Sequence, residues 1–212
     1  MIVLIGSQKG GCGKSTLAVN ICAELAVNGA DVCLVDADRQ GTGSRWVGDR
    51  SSDTTLPSVH CIQRYDNIQP TLRDLNDRYA YVIVDAAGRD SRELRTGMTA
   101  ANVLLVPFRP SQADLDTLPH LVEIIEQAQD LNPALKALAV VTMAPTNVMI
   151  SELAESKDYL RDFPQLSLTR SVIYDRKVYR DALSHGIGVV EENNAKAKSE
   201  IKMLVQEILS HG

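Results

Sequence analysis

Aromatic residues are scarce in this sequence, at 4% of 212 positions, and its four cysteines (Cys12, Cys22, Cys33, Cys61) form no Cys-x-x-Cys pair. Few aromatics exclude a stacking platform for single-stranded nucleic acid. The missing cysteine pairs exclude the usual spacing of a zinc or redox centre and point to reduced thiols acting as small apolar residues, as in the cytoplasm. No apolar run reaches the roughly 18 residues of a membrane span, and no export signal opens the chain, so a soluble, cytoplasmic protein is expected. Basic excess is lacking too. A net charge of −5 excludes general attraction to polyanions and leaves room for a local basic patch only, because charges are screened beyond about 8–10 Å.

What the chain has is apolar patterning. At 44% hydrophobic it can build one well-cored domain over residues 1–212. Strand-like apolar runs recur at residues 2–6, 32–36, 59–62, 81–85, 103–107, 137–142 and 171–173, with helical periodicity between most of them. That alternation predicts an α/β fold, a single doubly wound, mostly parallel sheet with helices on both faces and a ligand at the strands' carboxyl ends. Residues 43–57 and 144–151 are polar and read as surface loops. Residues 195–209 put Ala197, Ile201, Leu204, Val205 and Ile208 on one stripe, which predicts a docked amphipathic helix.

The first apolar run leads into Lys9-Gly10-Gly11-Cys12-Gly13-Lys14-Ser15-Thr16, followed by a helical pattern at Leu17, Ile21 and Leu25. Successive glycines let backbone N–H groups turn onto an anion, and the helix that follows adds its positive end. A triphosphate fits there. In such a Walker A loop Lys14 reaches the β- and γ-phosphates, Ser15 offers its hydroxyl to Mg²⁺, and Thr16 stands by a phosphate. Gln8 replaces the loop's usual first glycine, and Lys9 is an additional lysine ahead of the double glycine.

Three acids end strand-like runs. Asp36 and Asp38 lie one strand period apart and so point the same way. Tyr81-Val82-Ile83-Val84-Asp85 has the Walker B form, whose carboxylate holds Mg²⁺ through water.

With its leading Lys9, the loop resembles the deviant Walker A pattern of the ParA and MinD family, and within it the short plasmid-encoded ParA proteins. The resemblance runs the length of the chain. Leu34 to Gln40 is similar to the family's Asp-x-Asp-Pro-Gln segment, with Arg39 in place of proline; Ala86-Ala87-Gly88 is similar to a variant of its second switch. Residues 106–114, with Pro107, Pro110, Ser111 and Asp114, resemble the loop that flanks the adenine and the dimer interface. At Thr142-Met143-Ala144 the chain departs from relatives that carry asparagine or arginine near the base.

The resemblance implies a slow ATPase that cycles between ATP and ADP with Mg²⁺, with Lys9, Lys14 and Asp38 as catalytic residues. Asp38 would orient the attacking water and Asp36 would support the metal. It further implies an ATP-dependent homodimer in which Lys9 reaches the partner's nucleotide, non-specific binding to duplex DNA of the nucleoid, and hydrolysis stimulated by a ParB-like centromere-binding protein. The expected role is segregation of plasmid or chromosomal DNA. Seven basic residues against five acids between residues 170 and 202 offer a DNA surface, with Arg176, Lys177, Arg180, Lys198 and Lys202 as its candidates. Two other readings stand beside this one, a MinD-like membrane-associated regulator and a ParA-like positioner of protein cargo. The C-terminal residues lack a basic membrane-targeting character, so no membrane partner is expected. A nitrogenase-reductase-like role needs cluster cysteines that do not follow Cys61.

Overall fold

The computed structural model describes residues 1–146 and 152–211. In chain order its elements are β1 (Ile2–Ile5), α1 (Lys14–Val27), β2 (Val32–Ala37), α2 (Thr42–Arg50), β3 (His60–Gln63), α3 (Gln69–Asn76), β4 (Tyr81–Ala86) and α4 (Arg92–Met98). They continue with β5 (Val103–Phe108), α5 (Gln112–Leu115), α6 (Leu118–Leu131), β6 (Lys136–Ala144), α7 (Glu152–Leu160), β7 (Ser167–Tyr174), α8 (Lys177–Ser184) and α9 (Ala195–Leu209).

The seven strands form one sheet in the order β3-β2-β4-β1-β5-β6-β7, and every pairing is parallel. Strands so rich in Val, Ile and Leu require cover on both faces, and both faces have it. On one side Leu72 of α3, Leu94 and Met98 of α4, and Leu121 and Ile125 of α6 pack into one core. On the other, Leu17 and Ile21 of α1, Trp46 of α2, Tyr179 of α8, and Ile201, Leu204 and Ile208 of α9 form the second. The apolar stripe expected on residues 195–209 is this buried face of α9.

All seven expected strands are present, with β6 and β7 longer than expected. The polar segment 43–57 corrects an expectation: it is not loop throughout, because α2 occupies its first half. Its helical start is capped from outside the segment. The Asp36 carboxylate accepts from both the backbone N and the hydroxyl of Ser44, each at 2.7 Å. Trp46 is buried and its indole N–H donates to the Ile187 carbonyl at 3.0 Å. Of the loop expected over 144–151, Ala144 belongs to β6 and residues 147–151 lie outside the described residues.

The edge strand β7 is protected by α9. Glu207 accepts from the backbone N–H groups of Arg170 and Ser171, at 2.7 and 2.8 Å, which occupies donors that a free sheet edge would expose.

Candidate functional site

β1 lies at the centre of the sheet, between β4 and β5, so the loop that leaves it opens at the carboxyl ends of the strands. Gly13 takes φ +88°, a left-handed turn open to glycine, and begins α1 with no side-chain cap. The first-turn N–H groups of α1 are therefore directed at whatever fills the loop, together with the positive end of the helix. Gly10, Gly11, Gly13, Lys14, Ser15 and Thr16 line an open cleft, and Asp38, Gln40 and Gly88 face them across it.

The two loop lysines differ in setting. Lys14 is buried, its ammonium donating to the Lys9 carbonyl at 3.0 Å and to the Ser7 hydroxyl at 3.4 Å. The Lys9 side chain is exposed and forms no ion pair among the described residues. Cys12 is buried in the turn, its sulfur 3.0 Å from the Ser7 hydroxyl, so its thiol holds the loop's shape. Gly88 seats directly against this turn. A Cβ on it would lie 2.6 Å from both the Lys14 ammonium and the Lys9 carbonyl, so no other residue fits there without moving the loop.

Sheet register sets the carboxylates. Asp85 pairs with Ile5 on one side and Asp36 on the other, which puts two buried acids in one row behind the loop. Asp36 is satisfied by Ser44 and by the Asp38 N–H at 3.3 Å. Asp85 is not: both of its carboxylate oxygens are buried and lack a hydrogen-bond partner. Burial pushes its carboxyl up to about 7; the Ser15 hydroxyl and Lys14 ammonium oppose the rise, and Asp36 and Asp38 add to it.

Two orphaned carboxylate oxygens beside a serine hydroxyl suit a hard cation with oxygen ligands such as Mg²⁺. No group of three or more His, Cys, Asp or Glu side chains arranged to hold a metal occurs among the described residues. A cation at Asp85 and Ser15 would thus complete its shell from phosphate oxygens and water.

The structure brings together Lys9, Gly10, Gly11, Cys12, Gly13, Lys14, Ser15, Thr16, Asp36, Asp38 and Asp85. It does not bring Pro107, Pro110, Ser111 or Asp114 to the cleft lining. Pro107 is buried in β5 opposite Val140. Pro110 and Ser111 line a separate hollow with Gln112, Leu115 and Tyr159, and Asp114 holds that turn by accepting from the Ser111 hydroxyl at 2.9 Å. The neighbour Arg109 is the residue that reaches the loop, where its guanidinium donates to the Gly11 carbonyl. Thr142 secures the loop from β6, its hydroxyl 2.8 Å from the Cys12 carbonyl. Neither contact was visible in the sequence, since each joins residues about a hundred or more positions apart with no spacing rule to link them.

The candidates for a DNA surface are mostly neutralised. Arg176 pairs with Glu200, Lys177 with Asp181 and Arg180 with Asp175, all at 2.7 Å. Lys198 and Lys202, on one face of α9, form no ion pair among the described residues.

Comparison with known proteins agrees with this geometry. The sequence profile of the family ATPase MipZ matches residues 1–128. The chain is 30% identical over 210 residues to the maintenance of carboxysome distribution protein A of Halothiobacillus neapolitanus, covering 97% of this chain and 94% of that one. It is 29% identical over 193 residues to the chromosome partitioning protein ParA of Caulobacter vibrioides, covering 71% and 72%. Its fold is similar to that of an ATP complex of a McdA variant from Cyanothece, at a TM-score of 0.77 and 19% identity over 100% of this chain and 96% of that one. Members of this group are ATPases, and the chain belongs to the ParA/MinD-type family of P-loop ATPases.

Proposed function

We propose that the protein is an ATP-switched positioning ATPase: it binds Mg²⁺-ATP in the loop, pairs with a second copy, binds duplex DNA without sequence preference as a dimer, and lets go after hydrolysis. One observation carries this reading. The buried Lys14 serves the chain's own cleft, while Lys9, exposed at the start of the loop, is free to meet a nucleotide held by another chain.

Bound Mg²⁺ supplies charge neutralisation at the β- and γ-phosphates. The chain's own residues do the rest by positioning, which is most of what a loose phosphoryl-transfer transition state demands. Backbone N–H groups of residues 10–16 hold the phosphates, and the buried Lys14 adds a point charge. Asp38, half-buried and facing the loop across the cleft, orients the attacking water. Asp36 holds Ser44, and through it the helix that follows the Asp38 segment. Without a partner to complete the site, turnover is slow; a ParB-like protein or its counterpart on the cargo raises it.

The cargo is DNA in the partition reading. Full-length likeness to a carboxysome distribution protein favours a protein body as the alternative, with the same mechanism. A MinD-like membrane-associated regulator fits less well, because the apolar face of α9 is packed in the core.

DNA binding is tested by fluorescence anisotropy on two duplexes of unrelated sequence, with ATP or ADP, at two salt concentrations. Both should bind alike with ATP and far more weakly with ADP, each neutralised phosphate contributing a slope of about −0.9 in log affinity against log salt. Reversal of charge at Lys198 and Lys202 should weaken both equally. Binding that ignores the nucleotide, or none at low salt, would refute the DNA step.

A further inference from the structure

Asp38 opens a tight turn just beyond β2. The Gly41 backbone N–H donates to the Asp38 carbonyl at 2.9 Å, which closes the turn Asp38-Arg39-Gln40-Gly41. The Asp38 carboxylate accepts from the Gln40 N–H, also at 2.9 Å, so its direction follows the shape of this turn. Proline is favoured at the second position of such a turn because its ring presets φ at about −65°. Here that position holds Arg39, an exposed residue with no such constraint of its own.

Restraint comes from outside the turn. The Arg39 guanidinium lies over the Tyr65 ring, 4.6 Å from its centroid, at the distance of a cation–π contact. Tyr65 is itself set between two anchored neighbours. The Arg64 N–H donates to the Asp36 carbonyl at 3.2 Å, and the Asp66 N–H to the Glu93 carboxylate at 2.9 Å. On the turn's other side the Arg45 guanidinium donates to the Gln40 carbonyl at 2.7 Å. The turn that carries Asp38 is thus held at Arg39 by the segment after β3 and at Gln40 by α2.

Asp38 and Gln40 line the phosphate cleft and Arg39 does not, so the charge of Arg39 acts on the cleft through the turn. We propose that Arg39 is a positioning residue for hydrolysis: set over Tyr65, it holds the turn in the form that presents the Asp38 carboxylate to the cleft. The proposal rests on the reading of Asp38 as the group that orients the attacking water. An exposed cation–π contact and a proline ring restrain a turn by free energies of the same order. Arg39 with Tyr65 therefore does what a proline at position 39 would do alone. The Arg39 backbone N–H has no acceptor among the described residues and its φ is negative, so a proline is compatible with the turn.

The test is single-turnover hydrolysis of Mg²⁺-ATP with protein in excess, alongside displacement of a fluorescent ATP analogue by ATP to give affinity. It is run on the parent, Arg39→Ala, Tyr65→Ala, the double variant of these two, Tyr65→Phe, Arg39→Pro and Asp38→Ala. Arg39→Ala and Tyr65→Ala should each slow hydrolysis about two- to fivefold, the effect of losing an exposed cation–π contact, and leave affinity unchanged. The double variant should be no slower than either single one, because both changes remove the same contact. Tyr65→Phe, which keeps the ring face, and Arg39→Pro, which replaces the restraint, should recover the parent rate. An unaltered rate in Arg39→Ala, losses that multiply in the double variant, a loss of affinity equal to the loss of rate, or an Arg39→Pro variant as slow as alanine would each overturn the proposal. An Asp38→Ala variant that hydrolyses as fast as the parent would instead remove the reading on which it rests.

Discussion

Asp85 is the residue at which burial, charge and function meet. Its carboxylate sits in the sheet beside Asp36 with no hydrogen-bond partner, and its carboxyl is pushed up to about 7. A folded-state value above the unfolded one means that the native chain binds the extra proton between roughly pH 4 and pH 7. Its contribution to stability is therefore full at low pH and lost as pH rises through about 7. Asp85→Asn removes that loss. The nucleotide-free variant should melt above the parent at pH 8 by a few degrees, since about 1 kcal/mol moves a chain of this size by roughly 2–4 °C, with the gap closing toward pH 5. The same variant should lose Mg²⁺-dependent hydrolysis. Thermal melts across pH, with phosphate release at pH 8, check both; a parent that is the more stable at pH 8 would contradict the burial argument.

Residues of this kind divide by how far apart their partners lie in sequence. The loop was legible because its chemistry is contiguous, residues 9–16 following one strand and opening one helix. The placement of Asp36 and Asp85 side by side was legible because each ends an apolar run. The contacts of Arg109 and Thr142 with the loop were not, because they arise from strand order, which juxtaposes the ends of β1, β5 and β6. The expectation that Pro110, Ser111 and Asp114 flank the adenine and the dimer interface rested on resemblance alone; in the structure Asp114 accepts from the Ser111 hydroxyl, and Pro110 and Ser111 line a hollow distinct from the phosphate cleft's own lining.

Among the elements, α2 shows how a polar segment becomes a helix. Its own sequence has little apolar periodicity, and two glycines weaken it. Tertiary contacts supply the missing stability: Asp36 at its start, the buried Trp46 in its middle, and at its end Arg50, which is 2% exposed and reaches Glu191 at 2.6 Å. Arg50 also donates to the carbonyls of Pro57 and Gly186. The contacts to Gly186, Ile187 and Glu191 cross 136 to 141 positions, so a reading of residues 43–57 by composition gives loop. Breaking a buried pair by removing one partner leaves a buried charge uncompensated, at a cost of about 3–5 kcal/mol. Arg50→Ala should lower stability by that order in urea unfolding, and Arg50→Ala with Glu191→Ala by less than the sum of the two single changes. Strict additivity would show that the pair does not act as a unit. Because α2 follows the Asp38 segment directly, the single variant should also slow hydrolysis more than it weakens nucleotide binding.

For the whole molecule, the sheet gathers the loop with Lys9, Asp36, Asp38 and Asp85 at one end, where a second copy could meet them. The resemblance to ParA and MinD proteins and the length-wide match to relatives account for the fold together. The central claim is that nucleotide controls pairing through Lys9. Sedimentation velocity on the parent, Lys9→Ala and Asp38→Ala, each with Mg²⁺ and either ATP or ADP, tests it most directly. The account expects a species of twice the monomer mass with ATP but not ADP, persisting longest in Asp38→Ala, and a monomer in Lys9→Ala that still binds ATP. A parent that stays monomeric with ATP bound, or a Lys9→Ala variant that pairs as readily as the parent, would contradict it.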